Sequence, residues 1–276
     1  MKGRCEDDVV PTETIDKLEA IWRSTSALGA ELDEQQWKLP TDLPGWTVQD
    51  NLAHMIGTER MLQGLPPADA LAEPGAHVKN PIGQFNEAEI EARREHTGSE
   101  VLAEWNALAE LRLATLRGAD AAYFAKEMMT PTGPGTMADF LHIRVLDCWI
   151  HEQDMRRAVA RPGHLGGAAA EHTIDRLLCT IPIVVGKRAA TPEGSAVIID
   201  ISGEVPRRVV CEVNGGRAAI VDAPASDPLA TIRLDTEAFL VLATGRRHAA
   251  AIADRIELDG DRALGQRVVD NLSMMI

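Results

Sequence analysis

The stretch 136–161, TMADFLHIRVLDCWIHEQDMRRAVAR, constrains this chain more than any other. Thr136 followed by Asp139 three residues on is a capping-box pattern for a helix start. Pro162-Gly163 stops the helix, and Arg156, Arg157 and Arg161 suit the negative pole at its end. Between these signals Phe140, Leu141, Ile143, Val145, Leu146, Trp149 and Ile150 run nearly all the way round, as in a helix enclosed by others. Arg144, Asp147, His151 and Asp154 nevertheless fall on one face at three- and four-residue spacings. Charges in an apolar interior are costly unless satisfied. Two readings stay open: an internal network of Arg144–Asp147 with His151–Asp154, or Asp147 and His151 as two ligands of a divalent metal.

A third ligand from elsewhere would decide between them, and TDLPGWTVQDNLAHMIGTERML offers one. Pro44-Gly45 makes a turn, and Thr47 with Asp50 gives a second capping box. Val48, Leu52, Met55 and Ile56 form the apolar face of the helix that follows, with His54 among them. A lone histidine so placed reads first as a satisfied core residue. Set beside Asp147 and His151, it completes a three-ligand site with one open position.

The remaining periodicity predicts a helix over 12–36, carrying Ile15, Leu18, Ile21, Trp22, Leu28 and Leu32. Residues 63–84 are rich in Pro, Gly and Ala and read as a lid or an unstructured connection, with His77 solvated. NPIGQFNE then leads into a charged helix, EAEIEARREH. Ser99 is expected to cap the third main helix, EVLAEWNALAELRLATLRG, and 118–135 to be a loop ending TPTGPG. The first 160 residues thus carry four principal helices.

From Pro162 the texture changes. RPGHLGGAAA reads as a linker and 168–187 as one helix limited by Pro182. The β-type runs AVIIDIS, RRVVCEV, RAAIV and ATIRL follow, then a helix DTEAFLVLATGR, a strand and turn RIELDGD, and a closing helix RALGQRVVDNLSMM. The expected fold is therefore two-domain: a helical bundle over 1–161 and a small α+β domain with a mainly antiparallel sheet over 162–276. A chain of 276 residues is long enough for both.

Composition removes several function classes. The net charge of −14 argues against nucleic acid and anionic membrane surfaces as partners. No apolar run is long enough to span a bilayer, no signal-peptide pattern is visible, and MKGRCEDDVV reads as a frayed lead-in. Cys5, Cys148, Cys179 and Cys211 lie far apart, as expected of reduced thiols in a cytoplasmic protein. Cys148 points about 100° around its helix from Asp147 and reads as packing. There is no P-loop, no GxGxxG after a strand and no nucleophile elbow.

LPGWTVQDNLAHMIGTE and RVLDCWIHEQDMR resemble the two signature stretches of the mycothiol-dependent maleylpyruvate isomerase family, within the wider DinB group of four-helix, metal-binding thiol transferases. The likeness covers about residues 12–160. ATIRLDTEAFLVLATGR and IELDGD are similar to the sterol-carrier-protein-like C-terminal domain found in the same family. The resemblance implies His54, Asp147 and His151 as ligands of a divalent metal, zinc first, and mycothiol as cosubstrate. Asp147 departs from the glutamate usual in the isomerases. The resemblance further implies a metal-bound thiolate that conjugates a small electrophile, or adds reversibly to permit cis–trans isomerisation of maleylpyruvate type.

Asp154, one turn beyond His151, would then orient a ligand, and Arg144 would pair with Asp147 or bind an anionic group. The sugar part of the thiol would be read around Asn80 to Asn86, in the 63–84 connection, or along the domain interface. The partners expected are a low-molecular-weight thiol and an electrophile, for a monomer or homodimer. Two other classes remain: a non-catalytic ligand-binding protein, marked by absence of turnover, and a metal hydrolase, marked by turnover without thiol.

Overall fold

The structure is a computed structural model that describes residues 10–69, 78 and 80–274. It divides into two compact units, Met1–Gly163 and His164–Ile276. Cys5, His77 and the lead-in MKGRCEDDVV up to Val9 lie outside the described residues, as does most of the 70–79 part of the connection.

Four long helices make the first unit: α1 (Thr12–Ala30), α3 (Val48–Leu62), α5 (Gly98–Gly118) and α7 (Met137–Ala158). They pack in a ring, α1 on α5, α5 on α3, α3 on α7 and α7 on α1. Burial of Ile15, Leu18, Ile21 and Trp22 on α1, Trp105 and Leu116 on α5, and Leu141, Val145 and Trp149 on α7 supplies the apolar interior. Trp22 meets Trp105 edge to face at 5.9 Å. Helix α4 (Pro81–Arg94) lies against the other side of α3. This explains why α3 buries every residue from Val48 to Glu59.

Several local expectations change. The predicted 12–36 helix ends at Ala30, and Asp33 starts a separate short α2 (Glu34–Trp37) with its own capping box to Gln36. Helix α4 begins six residues earlier than EAEIEARREH, because Asn80 accepts from Gly83 N at 2.8 Å and Pro81 occupies the first turn. Thr97, not Ser99, caps α5: its hydroxyl accepts from Glu100 N while Glu100 returns to Thr97 N at 2.7 Å. Residues 118–135 are not simply loop. They hold α6 (Ala121–Phe124) and an antiparallel hairpin, β1 (Glu127–Thr130) and β2 (Gly133–Thr136), which turns at Gly133 with φ of 116° and feeds α7. The two expected capping boxes, Thr47 with Asp50 and Thr136 with Asp139, are both formed.

The second unit is a five-stranded sheet in the order β5-β4-β3-β6-β7, with β3 (Ala196–Ser202), β4 (Arg207–Asn214), β5 (Arg217–Val221), β6 (Ala230–Asp235) and β7 (Glu257–Gly260). Only the β3–β6 pair is parallel. Helices α8 (Ala168–Leu178), α9 (Thr236–Ala243) and α10 (Arg262–Asp270) complete it. The helix expected over 168–187 breaks after Leu178, and beyond Pro182 the chain winds as a π-helix over Ile183–Arg188. No helix among the described residues is long and apolar enough to cross a membrane.

Candidate metal centre

The packing of α3 against α7 brings three sequence-predicted ligands together. His54 Nε2 lies 3.3 Å from Asp147 Oδ2, and His151 Nε2 lies 3.5 Å from Asp147 Oδ1. The imidazole centroids are 4.7 Å apart, and one donor atom from each of the three residues falls within 4.8 Å of the others. A tetrahedral zinc site with bonds of about 2.0–2.1 Å has donor–donor edges of about 3.4 Å, so the donor set fits such an ion in kind, and its two imidazole–carboxylate contacts match that spacing. The shorter aspartate reaches both histidines. His54 and His151 keep 7% and 8% of their side chains accessible and Asp147 keeps 23%, so the site opens on the carboxylate side.

Each side chain is held from outside the triad. His151 Nδ1 lies 2.8 Å from Asn51 Oδ1 and 3.5 Å from Asp154 Oδ2. Asp154 is itself paired with Arg157, whose Nε donates to Asp42 at 3.1 Å. Arg144 donates to Asp147 Oδ2 through Nη1, to Glu59 Oε1 through Nε at 2.8 Å, and approaches Cys148 Sγ through Nη2 at 3.1 Å. His54 Nδ1 is buried and makes no hydrogen bond among the described residues. The half-buried Trp46 covers both imidazoles, 5.3 Å from His54 and 5.8 Å from His151 between ring centres. It is presented by the turn at Gly45, whose φ of 81° suits glycine, and its Nε1 donates to Glu87 of α4 at 2.7 Å.

The internal charge network and the ligand triad thus coexist and share an atom: Asp147 Oδ2 meets both Arg144 and His54, while Oδ1 faces His151. Burial would raise the Asp147 carboxyl, but Arg144 first, then His54 and His151, hold it well below the usual range. Burial lowers His54 despite Asp147. For His151 burial is outweighed by the Asp147 charge and by bonds to Asp147 and Asp154, so its pKa rises. Burial pushes the Cys148 thiol up to about 12 against the pull of Arg144, which disarms it as a nucleophile.

Of the other residues singled out in the sequence, Asp154 touches His151 and Arg144 touches Asp147. What the structure shows of Asn80 is its capping role on α4. Asn51, Glu59 and Trp46 were not given roles of their own by sequence reasoning. Asn51 and Glu59 lie about two turns apart on α3, among Gln49, Asp50, His54 and Thr58, a polar content that could have flagged them.

These features define a class: a helical unit that converges two imidazoles and a carboxylate on one partly open point. Residues 18–156 match the family model described as the mycothiol maleylpyruvate isomerase N-terminal domain, and the chain belongs to that family. Two solved structures of the mycothiol-dependent maleylpyruvate isomerase, one of them a mutant, superpose with a TM-score of 0.52 each. They are 15% (the mutant) and 16% identical and align over 90% of this chain and 92% of theirs, a likeness of fold. Two uncharacterized proteins from strains of Mycobacterium tuberculosis are 29% identical over an alignment of 160 residues that covers 55% of this chain. The match spans 59% of the length of those relatives.

Proposed function

We propose that the chain is a metal-dependent enzyme that uses mycothiol against a small electrophile, with His54, Asp147 and His151 holding a divalent ion, zinc by its donor chemistry. The convergence of those three donors within 4.8 Å, with an Asp147 oxygen 3.3 Å from one imidazole and 3.5 Å from the other, carries this reading. Free thiols near pKa 8.5 are mostly protonated at neutral pH, and a divalent ion held here supplies the charge that keeps one deprotonated. Cys148, next to Asp147 on α7, is buried with its thiol pushed up to about 12, so in this reading the reacting sulfur is that of the external thiol.

The chain's own residues bind and orient. Arg144 fixes Asp147 Oδ2, and Asn51 and Asp154 fix His151 at Nδ1. Trp46 shields the imidazoles from water while the Asp147 side remains open to thiol and electrophile. Asn80 stays a candidate contact for the sugar of the thiol. We read the four packed helices as the DinB-type four-helix bundle, and the sheet unit as the sterol-carrier-protein-like domain, the boundary falling near 161–164.

Conjugation is the first activity to test. A bond forms from sulfur to an electrophilic carbon, and a leaving group departs or a proton is taken up. The family match favours a second reading, cis–trans isomerisation, in which sulfur adds to a carbon–carbon double bond, the resulting single bond rotates, and the same carbon–sulfur bond breaks to return the thiol. Zinc-loaded protein with mycothiol and a bimane electrophile should consume thiol in step with product. With maleylpyruvate, isomerisation would leave the thiol undepleted. Glutathione and cysteine should support either reaction weakly. Absence of turnover in both assays from metal-loaded protein, or turnover without thiol, overturns the proposal.

A further inference from the structure

Behind the triad, a line of buried charge crosses three helices. Glu59, on α3 and 1% exposed, accepts from Arg144 Nε of α7 at 2.8 Å on one oxygen. Its other oxygen accepts from Arg112 Nε of α5 at 3.0 Å. Arg112 is fully buried, and its Nη1 donates to Gln63 Oε1 at 3.0 Å and to the Tyr123 hydroxyl at 3.3 Å. Arg144 carries the line on to Asp147. The sequence Arg112, Glu59, Arg144, Asp147 therefore alternates in sign and sums to zero before any ion arrives.

We infer that Glu59 is a positioning residue that sets the charge Arg144 presents to Asp147, and through it the affinity of the triad for a divalent cation. The inference rests on the proposed metal site and goes beyond the ligands themselves. Asp147 is shared between Arg144 and the point where the donors converge. Whatever charge Arg144 does not spend on Glu59 competes with a cation for that carboxylate, in surroundings where water screens little. Glu59 divides itself between two guanidiniums, so the partition can be moved in either direction. Removing the Glu59 charge leaves Arg144 wholly on Asp147 and adds net positive charge behind the site. Removing the Arg112 charge leaves Glu59 wholly to Arg144 and makes the surroundings more negative.

These two changes separate positioning from scaffolding. Glu59→Gln and Arg112→Met break the same buried ion pair and both reduce stability, so a purely structural role would move cation affinity the same way in both. The charge argument gives opposite signs. Zinc competition against a chromophoric chelator should show affinity about tenfold or more weaker in Glu59→Gln and about threefold or more tighter in Arg112→Met. Cobalt substitution should keep its tetrahedral d–d band in Arg112→Met. Glu59→Asp retains the charge and should return affinity toward the full-length wild-type value. If Glu59→Gln does not fold, the tighter binding of Arg112→Met and the rescue by Glu59→Asp carry the test. A wild-type chain that binds no zinc removes the metal site itself. A wild type that binds zinc, with both variants shifted the same way or not at all, overturns the role of Glu59 alone.

Discussion

Replacing Asn51 with alanine probes how one imidazole is aimed. Asn51 is fully buried, and its Nδ2 donates to Thr47 O at 2.9 Å and to Thr41 Oγ1 at 3.3 Å. A carbonyl oxygen only accepts, so the amide can face only one way and Oδ1 must meet His151 Nδ1. Nδ1 therefore carries a proton, which leaves Nε2, on the Asp147 side, as the atom that would bind a cation once its own proton is lost. Alanine would leave that N–H with Asp154 Oδ2 alone, a longer and weaker partner at 3.5 Å. An unsatisfied buried donor costs about 1–3 kcal/mol, equivalent to about 5- to 150-fold in binding. Groups that orient metal-ligating histidines are worth about 10–100-fold when removed. The two ranges agree, and we expect zinc affinity to fall about 10- to 100-fold. Asn51→Asp keeps an acceptor at Nδ1 and should lose less. Chelator competition at a temperature where circular dichroism shows both variants folded gives the number. An Asn51→Ala affinity within about twofold of wild type would refute the tautomer argument.

Three further outcomes are expected. Zinc affinity should fall as pH drops through neutrality, because the raised pKa of His151 lets protons compete above the usual imidazole range near 6.5 while the lowered His54 does not; equal affinity at about pH 8 and about pH 6 would contradict it. In a Cys5→Ser background, iodoacetamide at about pH 8 should label the exposed Cys179 and spare Cys148 and Cys211, whose thiols burial pushes up to about 12 and about 11; labelling of Cys148 in folded protein would mean that α7 opens. Gly98→Ala would place a Cβ 2.0 Å from Trp37 Cδ1 and should cost about 1–3 kcal/mol or more, read as a fall in Tm; an unchanged Tm would show that Trp37 moves aside freely.

The periodic and capping signals of the chain are local, and local physics decides them. The capping boxes at Thr47 and Thr136, the all-round apolar pattern of α7 and the β-type runs from Ala196 to Leu234 all lie within a few residues of what they specify. Hence the long helices, the strands and the spacing that puts Asp147 and His151 one turn apart were legible in the amino-acid order. The start of α4 at Asn80-Pro81 and the α5 cap at Thr97 were legible too, from signals of the same kind, Pro81 standing six residues before Glu87 and Thr97 two residues before Ser99.

Contacts between residues far apart in sequence are another matter. That His54 meets Asp147 across 93 positions depends on α3 being held between α4, α5 and α7, so that its polar residues from Gln49 to Glu59 cannot face water. The pairing of Glu59 with arginines from two other helices, the clasp of Asn51 on His151 and the cover of Trp46 arise from that same enclosure. A buried polar group must find its partner wherever packing delivers one, and packing is a property of the whole unit. The amino-acid order thus determined which residues could serve as ligands. Only the tertiary structure decided which charges and amides stand behind them, because desolvation, not sequence neighbourhood, selects those partners.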